Sequence, residues 1–120
     1  MTPKDEAALR AAEEIELVTS GRRSGRPHTV TLWSAYEDGA LWLRTDSDAD
    51  WYRNLLVDPR CGVRFDGREV QGRYEVIADQ QQGLRQLIDL WRNKYGREWV
   101  ADWYVERGRI PVRVRIDAGT

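Results

Sequence analysis

Two Asp-Gly pairs, Asp38-Gly39 and Asp66-Gly67, each adjoin runs in which apolar and polar residues alternate. A two-residue turn of this type needs both residues at positive φ, and its twist suits two strands that fold back on each other. After the first pair, Leu41 and Leu43 alternate with Trp42 and Arg44. Val63 and Phe65 precede the second, and Val70, Gly72, Tyr74 and Val76 follow it at period two. The chain is thereby committed to antiparallel hairpins, with Gly72 expected to mark a bulge.

The other segments fill in around these turns. Ala8, Leu9, Ala12 and Ile15 share one helical face within an Ala- and Glu-rich stretch, so a first helix is expected within residues 1–16. Two β-type runs, Glu16 to Ser20 and His28 to Trp33, enclose the loop "GRRSGRP", which makes a hairpin with a basic tip. Trp51, Tyr52, Leu55 and Leu56 predict a short helix started by a Ser or Asp N-cap and stopped at Asp58-Pro59. Leu84, Leu87, Ile88, Trp91 and Tyr95 recur at helical spacing up to Gly96, and Trp99, Val100 and Trp103 suggest a further turn or two. Val112, Val114 and Ile116 form a last strand with one wet face. The order α-β-β-β-α-β-β-α-α-β predicts an α+β fold, about six antiparallel strands in a small barrel flanked by helices.

Length sets the domain count. At 120 residues and 41% apolar content there is material for one core, so residues 1–120 are read as a single domain: helix over 1–16, barrel core over 17–78, helices over 80–104 and last strand over 110–117. Nineteen Lys and Arg nearly balance 20 Asp and Glu, which gives a net charge of −1 and no global field to draw the protein onto nucleic acid. No run approaches the roughly 20 apolar residues of a membrane span, and the start of the chain has no apolar signal core, so a cytoplasmic location is expected. One cysteine and one histidine are too few for a structural zinc site.

Positive charge is instead concentrated in one loop. Gly21 and Gly25 let backbone N–H groups turn toward an anion, and arginine offers a planar pair of donors to phosphate oxygens. Taken alone, "GRRSGRP" reads more readily as a solvated hairpin tip than as an anion site. Farther on, Thr45, Asp46 and Ser47 are polar groups that either meet a ligand ring edge or start the following helix. There is no Ser/His/Asp set, no metal cluster and no paired carboxylates at telling spacing, so no catalytic residue is named. Six tryptophans and five tyrosines exceed what so small a core needs. Trp51, Trp91 and Trp99 are read as core by their helical spacing. Trp33 and Trp42 point opposite to Leu32, Leu41 and Leu43, toward an interface or groove.

The stretches "GRRSGRPHTVTLW", "DGALWLRTDS" and "DWYRNLLVDPRCGVRFDGREVQGRYEVI" together resemble the deazaflavin-dependent nitroreductase and quinone reductase family, within the pyridoxamine-phosphate-oxidase-like split-barrel group. The resemblance spans most of residues 17–78. It implies a six-stranded split barrel, a homodimer, and a phosphorylated deazaflavin (F420 type) or FMN in a groove at the subunit interface, with a quinone or nitroaromatic as acceptor. A binding protein for haem or another planar ligand is the non-catalytic alternative. Carried onto this sequence, the phosphate contacts fall on Arg22, Ser24 and His28, with Arg23, Gly25 and Arg26 in the same loop. Thr45, Asp46 and Ser47 fall at the ring edge, and Trp51 in the Trp-Tyr pair. Two departures stand out: His28 replaces the family's usual arginine, and "TDSDADWY" runs straight through where relatives carry a longer Gly-Gly-Ala-Pro loop. Trp103 and Tyr104 fall where relatives place aromatics on the substrate side.

Overall fold

The structure is a computed structural model that describes residues 1–97 and 109–117. Along the chain run α1 (Pro3–Ala11), β1 (Glu14–Ser20), β2 (Pro27–Trp33), β3 (Ala35–Glu37), β4 (Ala40–Asp46), α2 (Asp50–Val57), β5 (Arg60–Phe65), β6 (Arg68–Glu75), α3 (Gln80–Tyr95) and β7 (Arg109–Ile116). The expected turns beyond Gly96, with Trp99, Val100, Trp103 and Tyr104, lie outside the described residues.

Both Asp-Gly pairs turn as the sequence requires. Asp38 and Gly39 have φ of 50° and 77°, Asp66 and Gly67 49° and 70°, and each pair joins two antiparallel strands. The first helix is shorter than expected. Pro3 occupies its first turn, and Thr2 and Asp5 cap each other reciprocally, but it ends at Ala11 and Ile15 belongs to β1. Ile15 satisfies two periods at once, three residues after Ala12 and two before Leu17. The strand prevails because it buries Ile15, Leu17 and Thr19 on one face. The N-cap of α2 also differs from expectation: it is Ala49, with no side-chain cap.

Seven strands, not six, form one antiparallel sheet in the order β2-β1-β5-β6-β7-β4-β3. The additional strand, β3, is the first arm of the Asp38-Gly39 hairpin, and three residues are too few to display alternation. β2 and β3 are the two edges of the sheet, yet only Ser34 separates them in the chain. One residue can join opposite edges only if the sheet curls until they meet, so the half-barrel follows from connectivity. Ser34 at this seam is fully buried.

The curl has an inside and an outside. Inside, Leu17, Leu41, Leu43, Val63, Val112 and Val114 pack with Leu9 of α1 and with Trp51 and Leu55 of α2. Gly72 lies here, paired in regular register with Cys61 on one side and Ile116 on the other, so it marks no bulge. A Cβ on it would come within 2.7 Å of the Val114 side chain, and the missing side chain lets the sheet bend tightly. Outside, α3 lays Leu87, Ile88 and Trp91 on Ala35, Trp42 and Ile77. Trp42 is therefore covered by α3 and not free for an interface, since its indole lies under a helix of the same chain. The Trp91 Nε1–H donates to the Trp42 carbonyl at 3.2 Å.

Candidate functional site

β1 and β2 pair through Ser20 and Pro27, and the basic loop closes this hairpin. The Gly21 N–H donates to the Arg26 carbonyl at 2.8 Å, and the Gly25 N–H to the Gly21 carbonyl at 2.7 Å. Gly25 has φ of 73°, which any β-carbon would strain. The Ser24 Oγ accepts from the Arg26 N–H at 3.1 Å, and this leaves its own proton to donate.

The three loop arginines have different fates. Arg22 is spent on α2: its backbone N–H and its Nη1 both donate to Asn54 Oδ1, at 3.1 and 2.9 Å, and its Nη2 pairs with Asp50 at 3.1 Å. Asn54 is buried, and its Nδ2 donates to the buried Thr19 hydroxyl at 3.1 Å. A single side chain thus ties the middle of α2, the end of β1 and the start of the loop together. Arg23 and Arg26 are exposed, as are Ser24 and His28, and no ion pair engages either arginine among the described residues.

Arg23, Ser24, His28, Asp50 and Asn54 line an open cleft of about 230 Å³. That is below the roughly 300–1,000 Å³ of a complete ligand pocket, but ample for a phosphate group. The donor set fits such a group: a rigid turn, one unspent hydroxyl proton, a free guanidinium and an imidazole. Asp50 stands on the opposite wall, partly neutralised by Arg22.

The other expected contacts lie elsewhere. Thr45 is buried on the inner face and its hydroxyl donates to the Asp46 carbonyl at 2.9 Å. The Asp46 carboxylate pairs with Arg109 across the β4–β7 ladder. Ser47 is exposed, and its carbonyl accepts from Arg53 at 3.4 Å. These three residues turn the chain into α2, which carries Asp50 and Asn54 to the loop, but they do not line the cleft. Trp51 is only 6% exposed and anchors α2 to the inner core. Asn54 and Asp50 are the residues that sequence reasoning missed. The signal was present for Asn54: an amide three residues after Trp51 and one before Leu55, on the apolar face of its helix.

Cys61 has no role at the site. It is buried on β5, and burial, aided by the negative charges of Asp117 and Asp58, pushes its thiol up to about 12. Among the described residues no cluster of His, Cys, Asp and Glu is arranged to hold a metal, and no helix is long and apolar enough to cross a membrane.

A curled antiparallel sheet with helices on both faces and an anion-ready loop at its edge hairpin defines a split-barrel protein of the pyridoxamine-phosphate-oxidase-like kind. Solved structures carry the same fold. A candidate 5-nitroimidazole antibiotic resistance protein from Bacteroides thetaiotaomicron superposes with a TM-score of 0.79 at 17% identity, covering 98% of this chain and 80% of that one. HutZ, the haem storage protein of Vibrio cholerae, gives 0.75 at 14% identity over 98% and 90%. A protein described as an F420 reductase gives 0.69 at 21% identity over 94% and 93%. No curated protein matches the sequence. Residues 6–117 match the F420H(2)-dependent quinone reductase family, and the chain belongs to that family. The cofactor is accordingly the deazaflavin F420.

Proposed function

We propose that this chain reduces a quinone with hydride from reduced F420, that Arg23, Ser24 and His28 hold the cofactor phosphate, and that the working unit is a cytoplasmic homodimer. The carrying observation is the division of labour in the loop. Asn54 and Asp50 fix Arg22, so the turn is ordered before any ligand arrives, and Arg23 and the Ser24 hydroxyl proton remain free to meet an anion. Arg26, exposed on the same turn, adds to the local positive field. FMN presents a phosphate of the same chemistry to the same loop, and the family's F420 dependence favours the deazaflavin over it.

When bound, the reduced deazaflavin supplies the hydride. The protein's task is then to orient, exclude water and match charge, and this requires no activated nucleophile. A cleft of about 230 Å³ holds the phosphate end only, and a second copy of the chain would complete the groove around the ring. Quinone is the acceptor that the family's description supports. A nitroaromatic acceptor is the second reading, favoured by the likeness to the nitroimidazole resistance protein.

The test is equilibrium binding of F420, with FMN in parallel, to the wild-type chain and to the double variant Arg23→Ala/Arg26→Ala, followed by turnover of a naphthoquinone and a nitroimidazole with reduced F420. Binding of F420 that falls tenfold or more in the variant supports the assignment. Undiminished binding overturns the loop as the phosphate site, and a chain that binds neither compound overturns the reductase reading.

A further inference from the structure

The far end of β2 carries a second, larger cleft that the loop chemistry does not use. It measures about 630 Å³ and lies between the end of α1 and the last turn of α3, lined by Arg10, Ala11, Glu13, Trp33, Lys94 and Tyr95. Its size is that of a small-molecule pocket. β2 runs seven residues from Pro27 to Trp33, so the two clefts are about 20 Å apart at 3.3 Å per residue and can be filled independently.

One wall of this cleft is aromatic. Trp33 stacks on Tyr95 with ring centroids 4.2 Å apart and planes inclined by 16°, and both rings meet Trp91 edge-on at 5.9 and 6.0 Å. The stack is held from behind, because the Tyr95 hydroxyl accepts from the Ser34 N–H at 3.0 Å and lies within 2.7 Å of the Glu13 carbonyl. Such a wall presents a fixed flat surface and loses little freedom when a second flat ring is added.

The Lys94 Nζ donates to the carbonyls of Ala12 and Ser34 at 2.6 and 2.7 Å, two of its three protons, and is half-buried. Its third proton is unspent in these contacts. Arg10 is exposed at the rim, with its guanidinium 5.3 Å from the Tyr36 ring centroid. Against these two cations the lining holds one carboxylate among the described residues, Glu13, so the cleft favours a negative ligand.

We propose that this cleft is a second ligand site, built for a planar aromatic anion whose ring lies on the Trp33–Tyr95 wall and whose charge is met by Lys94 and Arg10. The site goes beyond the cofactor reading and does not depend on it. Its ligand class is the aromatic carboxylate or ionised hydroxyquinone, small enough for one cleft and without need of a phosphate.

The experiment uses two redox-inert probes of one shape, 1-naphthoate and the uncharged 1-naphthamide, titrated calorimetrically into the full chain without cofactor. Naphthoate is expected to bind and naphthamide to bind at least tenfold more weakly. Lys94→Met and Arg10→Gln should each weaken naphthoate binding several-fold to tenfold, and Arg10, being exposed, can be replaced without disturbing the fold. Arg23→Ala/Arg26→Ala should leave naphthoate binding unchanged and alter only F420 binding. Equal affinity for the two probes, indifference to Arg10→Gln, or loss of naphthoate binding in the loop variant would each overturn the proposal, whatever the F420 titration shows.

Discussion

The β1–β2 hairpin is held at each of its two ends by a helix of the same chain, and the two attachments differ in what they leave over. At the loop end, Asn54 of α2 takes hold of Arg22 and Thr19, and the neighbouring arginines remain unpaired among the described residues. At the seam, Lys94 and Tyr95 of α3 reach backbone groups of Ala12, Glu13 and Ser34, and aromatic rings close over them. The first arrangement uses a side-chain amide to order a loop whose charge stays available. The second uses charge and hydroxyl to join strand edges. A charged residue thus serves a ligand only through the donors its structural contacts leave over, the whole guanidinium at Arg23 and one proton at Lys94.

The difference can be broken most severely at Asn54. Asn54→Ala removes the acceptor for Arg22 and the donor to buried Thr19, and should cost about 3 kcal/mol of unfolding free energy together with most of the F420 affinity. Urea unfolding and F420 titration on the same variant check both. Tyr95→Phe should come next, at about 2 kcal/mol, because the buried Ser34 N–H loses its acceptor; F420 binding should be unaffected. Arg23→Ala should leave stability within about 0.5 kcal/mol while weakening F420 binding, the reverse of the pattern expected for Tyr95→Phe. The smallest effect is expected for Asp50→Asn, which removes a carboxylate from the cleft wall: F420 affinity should rise a few-fold, against about 0–1 kcal/mol lost with the exposed Arg22 pair.

The seam also has a pH signature. Burial pulls Lys94 down from 10.5 to about 8, so between those values the unfolded chain holds more protons than the folded one, and stability should rise with pH through that window. Above pH 10 the sign reverses, because Tyr36, Tyr74 and Tyr95, chiefly through burial, hold their protons up to about 12 while their unfolded counterparts release them. Urea midpoints measured across this range, with Lys94→Met as control, should show the rising limb flattened in the variant and the falling limb retained.

What the sequence disclosed depended on how local the physics was. The Asp-Gly turns and the strands beside them were legible because φ preference and alternation act within a few residues. That Arg23, Ser24 and His28 share one hairpin loop was legible because Gly, Ser and Pro between two β-type runs mark a turn. Ile15 was misread because helix and strand periods coincide there, and only pairing with Leu32 across β2 decides between them. Trp42 was misplaced because its outward direction was right but α3, which begins 38 residues later at Gln80, returns to cover it. The structural role of Arg22 was hidden for the same reason, since its partner Asn54 is 32 residues away.

Ser34 gives the fold a mechanical character. The two edges of the sheet are joined there by the covalent chain, and they are held in place by a few side-chain bonds from α3 in place of a ladder of backbone bonds. A barrel with such a seam can gape without unpairing a strand, much as a clasp opens without tearing the cloth. Amide exchange should therefore be faster at Ser34 and in β3 than in β1, β5 or β6, where every opening breaks a ladder on both sides.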